Sequence, residues 1–219
     1  MLKVGLTGGI ASGKSVAGEM FVGLGAHLVQ ADRIAHILMQ PGEVVYNEVV
    51  RHFGREILNP DGSVNRAKLA EVAFAPAADG DRTSRIIELN RIVHPAVIRS
   101  QDDWMQAIGQ QDPQGVAIVE AALILEAGAK DHFQRLIVVT CDQEQRVARF
   151  AVRQKLGYEA ARAEVERRMA AQLPEAEKIK AADFVVDNSG SLQHTREQVQ
   201  QVWKQLRAEA AKPRSISAE

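Results

Sequence analysis

Residues 8–15 read Gly-Gly-Ile-Ala-Ser-Gly-Lys-Ser, and few stretches of this length leave a chain so little choice. They fit G-x-x-x-x-G-K-[ST], the pattern of a phosphate-holding loop. Glycines let the backbone curl until several N–H groups point inward. The helix that follows adds its own unpaired N–H groups and the positive end of its dipole. Lys14 has the charge and reach for β- and γ-phosphates, and the Ser15 hydroxyl is a ligand for Mg²⁺. The context fits: Lys3–Leu6 is a short β-rich apolar run, and Ser15–Leu24 carries Val16, Met20, Phe21 and Leu24 at helical spacing. The glycines do not follow the dinucleotide fingerprint, since Gly8 and Gly9 are adjacent and a Lys-Ser pair has no task there. The loop therefore predicts a nucleoside triphosphate held by Gly8, Gly9, Ile10, Ala11, Ser12, Gly13, Lys14 and Ser15.

The rest of the chain reads as strands and helices in alternation. Ala26–Gln30 is a second short strand, and Asp32 opens a helical stretch to Met39. Glu43–Phe53 is helical, with Val45, Val49 and Phe53 four apart. Residues 54–64 form a turn-rich excursion around Asn59-Pro60-Asp61-Gly62, and Asn65 caps a helix to Phe74. Asp81–Val93 is amphipathic, His94-Pro95 interrupts it, and Val97–Ile108 resumes the helical spacing, with Pro95 as the first residue of the new helix. VAIVE (116–120), LIVVT (136–140) and DFVV (183–186) are buried-type strands. Gln143–Lys155, Glu159–Gln172, a shorter stretch from Pro174 to Lys180, and Leu192–Leu206 are helices. Short apolar strands separated by helices give an α/β fold: a parallel β-sheet core covered on both faces, three layers in all. Two insertions exceed a normal crossover and mark places for substrate-binding or lid elements. The expected organisation is a nucleotide-binding core of residues 1–40, 112–142 and 180–208, a helical substrate-binding insertion of 41–111, a helical lid of 143–179, and a disordered tail of 209–219.

Composition excludes rather than selects. The 27 Lys and Arg against 28 Asp and Glu give a formal net charge of −1, with no basic excess to advertise nucleic-acid binding. A single cysteine, Cys141, permits neither an intrachain disulfide nor a cysteine metal cluster, and it suits a reducing compartment. The N-terminal apolar run is broken by glycines and Lys14 short of signal or membrane length. The expectation is a cytoplasmic protein with a small-molecule substrate, no nucleic-acid partner and no membrane, as a monomer or weak homo-oligomer.

What the loop serves is narrowed by what is missing. A GTPase needs Asp-x-x-Gly after a strand, whereas Asp112–Gly115 precedes one. It also needs Asn-Lys-x-Asp, and Asn188 is followed by Ser189. A motor ATPase needs an apolar strand ending in Asp-Glu, but Glu120 is followed by Ala121. A small-molecule kinase needs a carboxylate for the acceptor hydroxyl and arginines over the phosphates. Asp32, directly after the second strand, supplies the first, with a plain N-cap as its alternative. Arg146, Arg149 and Arg153 recur at helical spacing, and Arg149 and Arg153 share a face. His94 suits an anionic substrate or a bland helix boundary. Either Glu120 or Glu126 suits the carboxyl edge of the sheet. Cys141 has no evident base partner and reads as structural.

TGGIASGKS at 7–15, VQAD ending at Asp32, FGREI at 53–57, DGSVNRAKL at 61–69 and HPAV at 94–97 together resemble bacterial dephospho-coenzyme A kinase. LILEAG at 123–128, the Arg149/Arg153 pair, Gln172 and ADFVVDNSGS at 182–191 extend the resemblance over about residues 2–200. It implies a P-loop kinase that uses ATP and Mg²⁺ to phosphorylate the ribose 3′-hydroxyl of dephospho-CoA, the last step of coenzyme A synthesis. It further implies that Asp32 activates the acceptor and that His94 lies in the region associated with the CoA substrate, with Glu126 also on the substrate side. Arg149 would be the lid-region arginine and Arg153 the one opening the next turn, while the Asn188 loop approaches the adenine. Three departures stand out. Gln30-Ala31-Asp32 replaces Asp-Ala-Asp, Ala122 replaces the proline of Pro-Leu-Leu-Phe-Glu, and Arg146 stands where glutamine is frequent. The alternatives are another small-molecule kinase on the same fold and a regulatory nucleotide-binding protein.

Overall fold

The computed structural model describes residues 1–74 and 83–212. The chain divides into two compact units, one of Met1–Val29 with Met105–Glu219 and one of Gln30–Trp104.

The first unit is built on a five-stranded sheet in the order β2-β3-β1-β4-β5. Its strands are β1 (Leu2–Thr7), β2 (His27–Gln30), β3 (Val116–Glu120), β4 (Arg135–Thr140) and β5 (Phe184–Asp187). β1 runs parallel to β3 and β4, and β4 runs parallel to β5. The period-2 alternation of a strand explains which helices cover it. Leu2, Val4 and Leu6, with Val116, Ile118, Ile137 and Val139, turn to one face. There they bury Ala17 and Phe21 of α1 (Lys14–Gly23) and Val199, Val202 and Leu206 of α9 (Leu192–Ala210). Leu136 and Val138 turn to the opposite face and pack with Ile124, Phe133 and Ala182. Gly5 faces that side too; a methyl placed on it would lie 3.0 Å from Leu136 and Phe133, so that layer closes against bare backbone. A parallel sheet covered on both faces must read as near-continuous apolar runs, as VAIVE and LIVVT do. Between β4 and β5 come α6 (Gln143–Gln154), α7 (Tyr158–Ala170) and α8 (Glu175–Ala181).

The second unit holds α2 (Ala31–Leu38), α3 (Val44–Phe53), α4 (Arg66–Phe74) and most of α5 (Thr83–Gln111). Val45, Val49, Phe53, Ile57, Leu69 and Ala73 are buried. The turn-rich excursion has a structural task. Leu58 and Val64 pair as an antiparallel bridge, and Gly62 takes φ 83° in the turn between them. Asp61 Oδ1 accepts from the Ser63 N–H and hydroxyl at 2.9 and 2.6 Å, and Tyr46 of α3 donates to the Gly62 carbonyl at 2.6 Å. The turn delivers Asn65, whose Oδ1 accepts from Lys68 N at 3.1 Å and so caps α4 as the sequence suggests.

Two expectations change. His94-Pro95 does not divide two helices: α5 runs unbroken through Pro95. Proline forfeits one main-chain hydrogen bond and costs about 3 kcal/mol inside a helix. Val93, Val97 and Gln101, all buried, keep one stripe across it at intervals of four, and burying each such valine returns about 1.5–3 kcal/mol. The last helix also outlasts its reading: it reaches Ala210, with Glu209 paired to Arg135 at 2.7 Å. Of the expected tail, residues 213–219 lie outside the described residues. Among the described residues no helix is long and apolar enough to cross a membrane.

Candidate active site

The loop joins β1 to α1, as the sequence requires. Gly8 (φ 154°), Ala11 (φ 53°) and Gly13 (φ 93°) bend it through positive φ. The N-cap of α1 is Gly13, which has no side chain to cap with, and no acidic residue stands in the first turn. The helix thus begins with N–H donors that an anion can satisfy. Lys14 Nζ donates to the Gly8 and Gly9 carbonyls at 2.9 and 3.4 Å, so its charge is folded along the loop. Ile10 is buried against Val147, Phe150, Ala161 and Val165 of α6 and α7, which fixes the loop's outer turn by packing.

Ser15 Oγ donates to Glu120 Oε1 at 2.6 Å. Glu120 is the last residue of β3 and pairs in register with Leu6 of β1, so it stands at the carboxyl end of the strand beside the loop. A hydroxyl and a carboxylate in contact at this edge are hard oxygen donors, the set a Mg²⁺ ion with bound phosphates prefers. The residues present therefore fit a Mg²⁺ ion. The sequence leaves Glu120 and Glu126 as alternatives for the sheet edge, because the neighbour of Glu120 in space, Ser15, lies over a hundred residues away.

Arg149 sits beside the loop. It donates to the Asn188 carbonyl at 2.9 Å, to Gln145 at 3.0 Å and to the Cys141 sulfur at 3.1 Å. Burial is the main influence on the Cys141 thiol and pushes its pKa up, against the opposing pull of Arg149 and Arg146, so the thiol stays protonated and inert. Arg153, one turn on, is exposed and stacks on the Phe150 ring at 5.6 Å. The two arginines share a helix, but only Arg149 is held beside the loop.

Asn188 is buried, and its side chain is committed within the protein. Nδ2 donates to the Ser12 carbonyl at 2.9 Å, and Oδ1 accepts from Thr195 at 2.9 Å. A methyl on Gly13 would lie 2.0 Å from Nδ2, so Asn188 also accounts for the glycine there. Glu126 accepts from buried Lys178 at 2.8 Å and from Leu173 N at 3.1 Å, and Lys178 donates to Gln172 at 3.0 Å. Gln172, singled out only by resemblance, is thus held by the same lysine that holds Glu126.

In the other unit Asp32 is the second residue of α2. The N-cap is Gln30, so the plain capping reading of Asp32 does not hold, and its carboxylate is exposed. His94 lies within α5 rather than at a helix start. Burial lowers its pKa from 6.5, which leaves the imidazole neutral at pH 7, a hydrogen-bonding group rather than a cation.

Comparison with known proteins shows which family the chain belongs to. The family model for dephospho-CoA kinase matches residues 2–194. A dephospho-CoA kinase of Syntrophotalea carbinolica is 40% identical over 199 residues, 91% of this chain and 89% of that one. One from Leifsonia xyli is 36% identical over 207 residues, 94% of this chain and all of that one. The crystal structure of TT1252 from Thermus thermophilus superposes with a TM-score of 0.75 at 29% identity, covering 96% of this chain and 98% of that one. The dephospho-CoA kinase from Campylobacter jejuni, at 24% identity, shares the fold with a TM-score of 0.66 over 94% of this chain and 98% of its own. The chain belongs to the dephospho-CoA kinase family, P-loop enzymes that transfer the γ-phosphate of ATP to the ribose 3′-hydroxyl of dephospho-CoA, and it carries that ATP-dependent activity.

Proposed function

We propose the following division of labour for this transfer. Gly8 to Ser15 receive the donor phosphates on main-chain N–H groups, and Lys14 swings from the loop carbonyls to the β- and γ-phosphates. Asp32 orients the acceptor hydroxyl and takes its proton as the new bond forms. Arg149 stabilises charge on the transferring group, and Arg153 adds a cation on the same helix. Asn188 serves the nucleotide by holding Ser12 of the loop. Glu126 and neutral His94 serve the dephospho-CoA side, Glu126 by fixing the Lys178–Gln172 segment. Residues 41–111 form the substrate-binding part, and residues 143–179 act as a lid that excludes water. The protein works in the cytoplasm as a monomer or weak homo-oligomer.

Ser15 and Glu120 would hold a Mg²⁺ ion, which would supply positive charge to offset that on the phosphates. The observation that carries this reading is the 2.6 Å Ser15–Glu120 hydrogen bond beside the loop. Glu120→Gln keeps a hydrogen-bonding partner for Ser15 but removes the charge. It should raise the Mg²⁺ concentration for half-maximal activity by about tenfold, a single charge-assisted contact's worth. An unchanged Mg²⁺ titration curve would remove Glu120 from the ion's site.

A further inference from the structure

Arg146 is the largest fully buried side chain among the described residues, 1% exposed. Its guanidinium spans three elements. Nε donates to the Cys141 carbonyl just past β4 at 2.6 Å, Nη1 to the Ile10 carbonyl of the loop at 3.4 Å, and Nη2 to Glu175, the first residue of α8, at 2.5 Å. A methyl on Gly9 would lie 2.3 Å from Nη1, so the guanidinium lies directly against the loop's backbone. Gly9 and Ile10 are thus held on two sides: by this cation, and by the packing of the Ile10 side chain into α6 and α7. The far partner is itself anchored, because α8 carries Lys178, buried and paired with Glu126.

Burying a guanidinium costs several kcal/mol even when it is paired, and an aliphatic side chain of similar volume would fill this space with less penalty. The charge therefore has to be explained by something other than stability. We propose that Arg146 is a positioning residue for ATP. It fixes the Gly9–Ile10 turn in the form that receives phosphate, and through Glu175 it ties that form to α8. A planar guanidinium can reach three acceptors in fixed directions at once, which neither lysine nor glutamine can do. The proposal rests on the reading that loop 8–15 is the donor site. It adds that the loop's shape depends on a residue that touches no phosphate.

The test compares Arg146→Gln, Glu175→Gln and the double variant, reading KM for both substrates, kcat and Tm, with Lys14→Ala alongside. Arg146→Gln should raise KM for ATP about tenfold and leave KM for dephospho-CoA within about twofold. Glu175→Gln should raise KM for ATP about threefold, and the double variant should be no worse than Arg146→Gln alone, since coupled groups do not add. A lower Tm with unchanged KM for ATP, or strictly additive effects, would overturn the proposal. Should Arg146→Gln fail to fold, Glu175→Gln decides by itself, and an unchanged KM for ATP there counts against it. Lys14→Ala separates the two levels. If it leaves KM for ATP flat, the loop reading fails and the proposal with it. If it raises KM while Arg146→Gln does not, the proposal alone fails.

Discussion

Asp32→Asn is expected to lower kcat by about two to four orders of magnitude while ATP affinity stays within about twofold. The substitution is isosteric and keeps a hydrogen-bonding side chain, so it isolates the charge and the proton-accepting capacity. The position makes the experiment clean. Asp32 lies inside the first turn of α2 and its carboxylate does not cap the helix, because Gln30 holds that place. The side chain is also exposed, so no core packing is lost. Removing a negative charge from a helix N-terminus costs only about 0.3–1 kcal/mol at an exposed site. A turnover loss of the expected size is far larger than such an effect can produce. Equilibrium binding of ATP and rapid-quench turnover check both halves of the statement. Near-normal turnover would remove Asp32 from the acceptor step and leave the proton without a named base.

The second large effect is expected at Gly8. A methyl there would lie 2.3 Å from the Val139 carbonyl oxygen and 2.8 Å from the Ser12 hydroxyl, at a φ of 154°. Val139 belongs to β4, which is bonded to β1 on one side and β5 on the other, so this carbonyl cannot retreat without breaking the sheet. Backbone strain and overpacking together should cost about 3 kcal/mol in stability for Gly8→Ala. ATP affinity should fall by about a hundredfold, because the displaced turn carries the N–H groups proposed to receive the phosphates. Gly23 provides the control. It is exposed at the end of α1 with open space around it, so Gly23→Ala should be neutral or stabilise by about 0.5–1 kcal/mol. Thermal unfolding and ATP titration of the two variants measure the contrast. Equal behaviour would show that the cradle does not depend on its backbone geometry.

These effects were legible in the sequence to different degrees, and the difference is one of range. The loop is a local object: eight consecutive residues fix its turns, and an apolar run and a helical period on either side fix its context. The strands were legible for a related reason, since burial on both faces leaves unbroken runs such as VAIVE and LIVVT. Helix continuity through Pro95 was not, because the proline penalty is local whereas the stripe of Val93, Val97 and Gln101 that outweighs it acts through burial. Glu120 was one of two alternatives for the sheet edge, with Glu126, and was not named as the partner of Ser15. Their contact depends on β3 lying beside β1, an order of strands that no single segment encodes. Arg146 was grouped with its helix neighbours as a phosphate-facing arginine. Its helix periodicity marks a face, but only the fold shows that this face meets Ile10 and Glu175 rather than solvent. Asn188 followed the same course. Its place after the last strand was correct, and its partners Ser12 and Thr195 come from the ends of two other elements.

The central claim is that the loop serves transfer to one acceptor, and the most direct measurement is acceptor-dependent ADP formation by the purified protein with MgATP. Dephospho-CoA should release ADP and yield CoA in equal amounts, while adenosine, nucleoside monophosphates and small sugar acids should leave ADP formation at the level seen with no acceptor. ADP release that is the same with and without dephospho-CoA, or that responds to another acceptor in its place, would contradict the account.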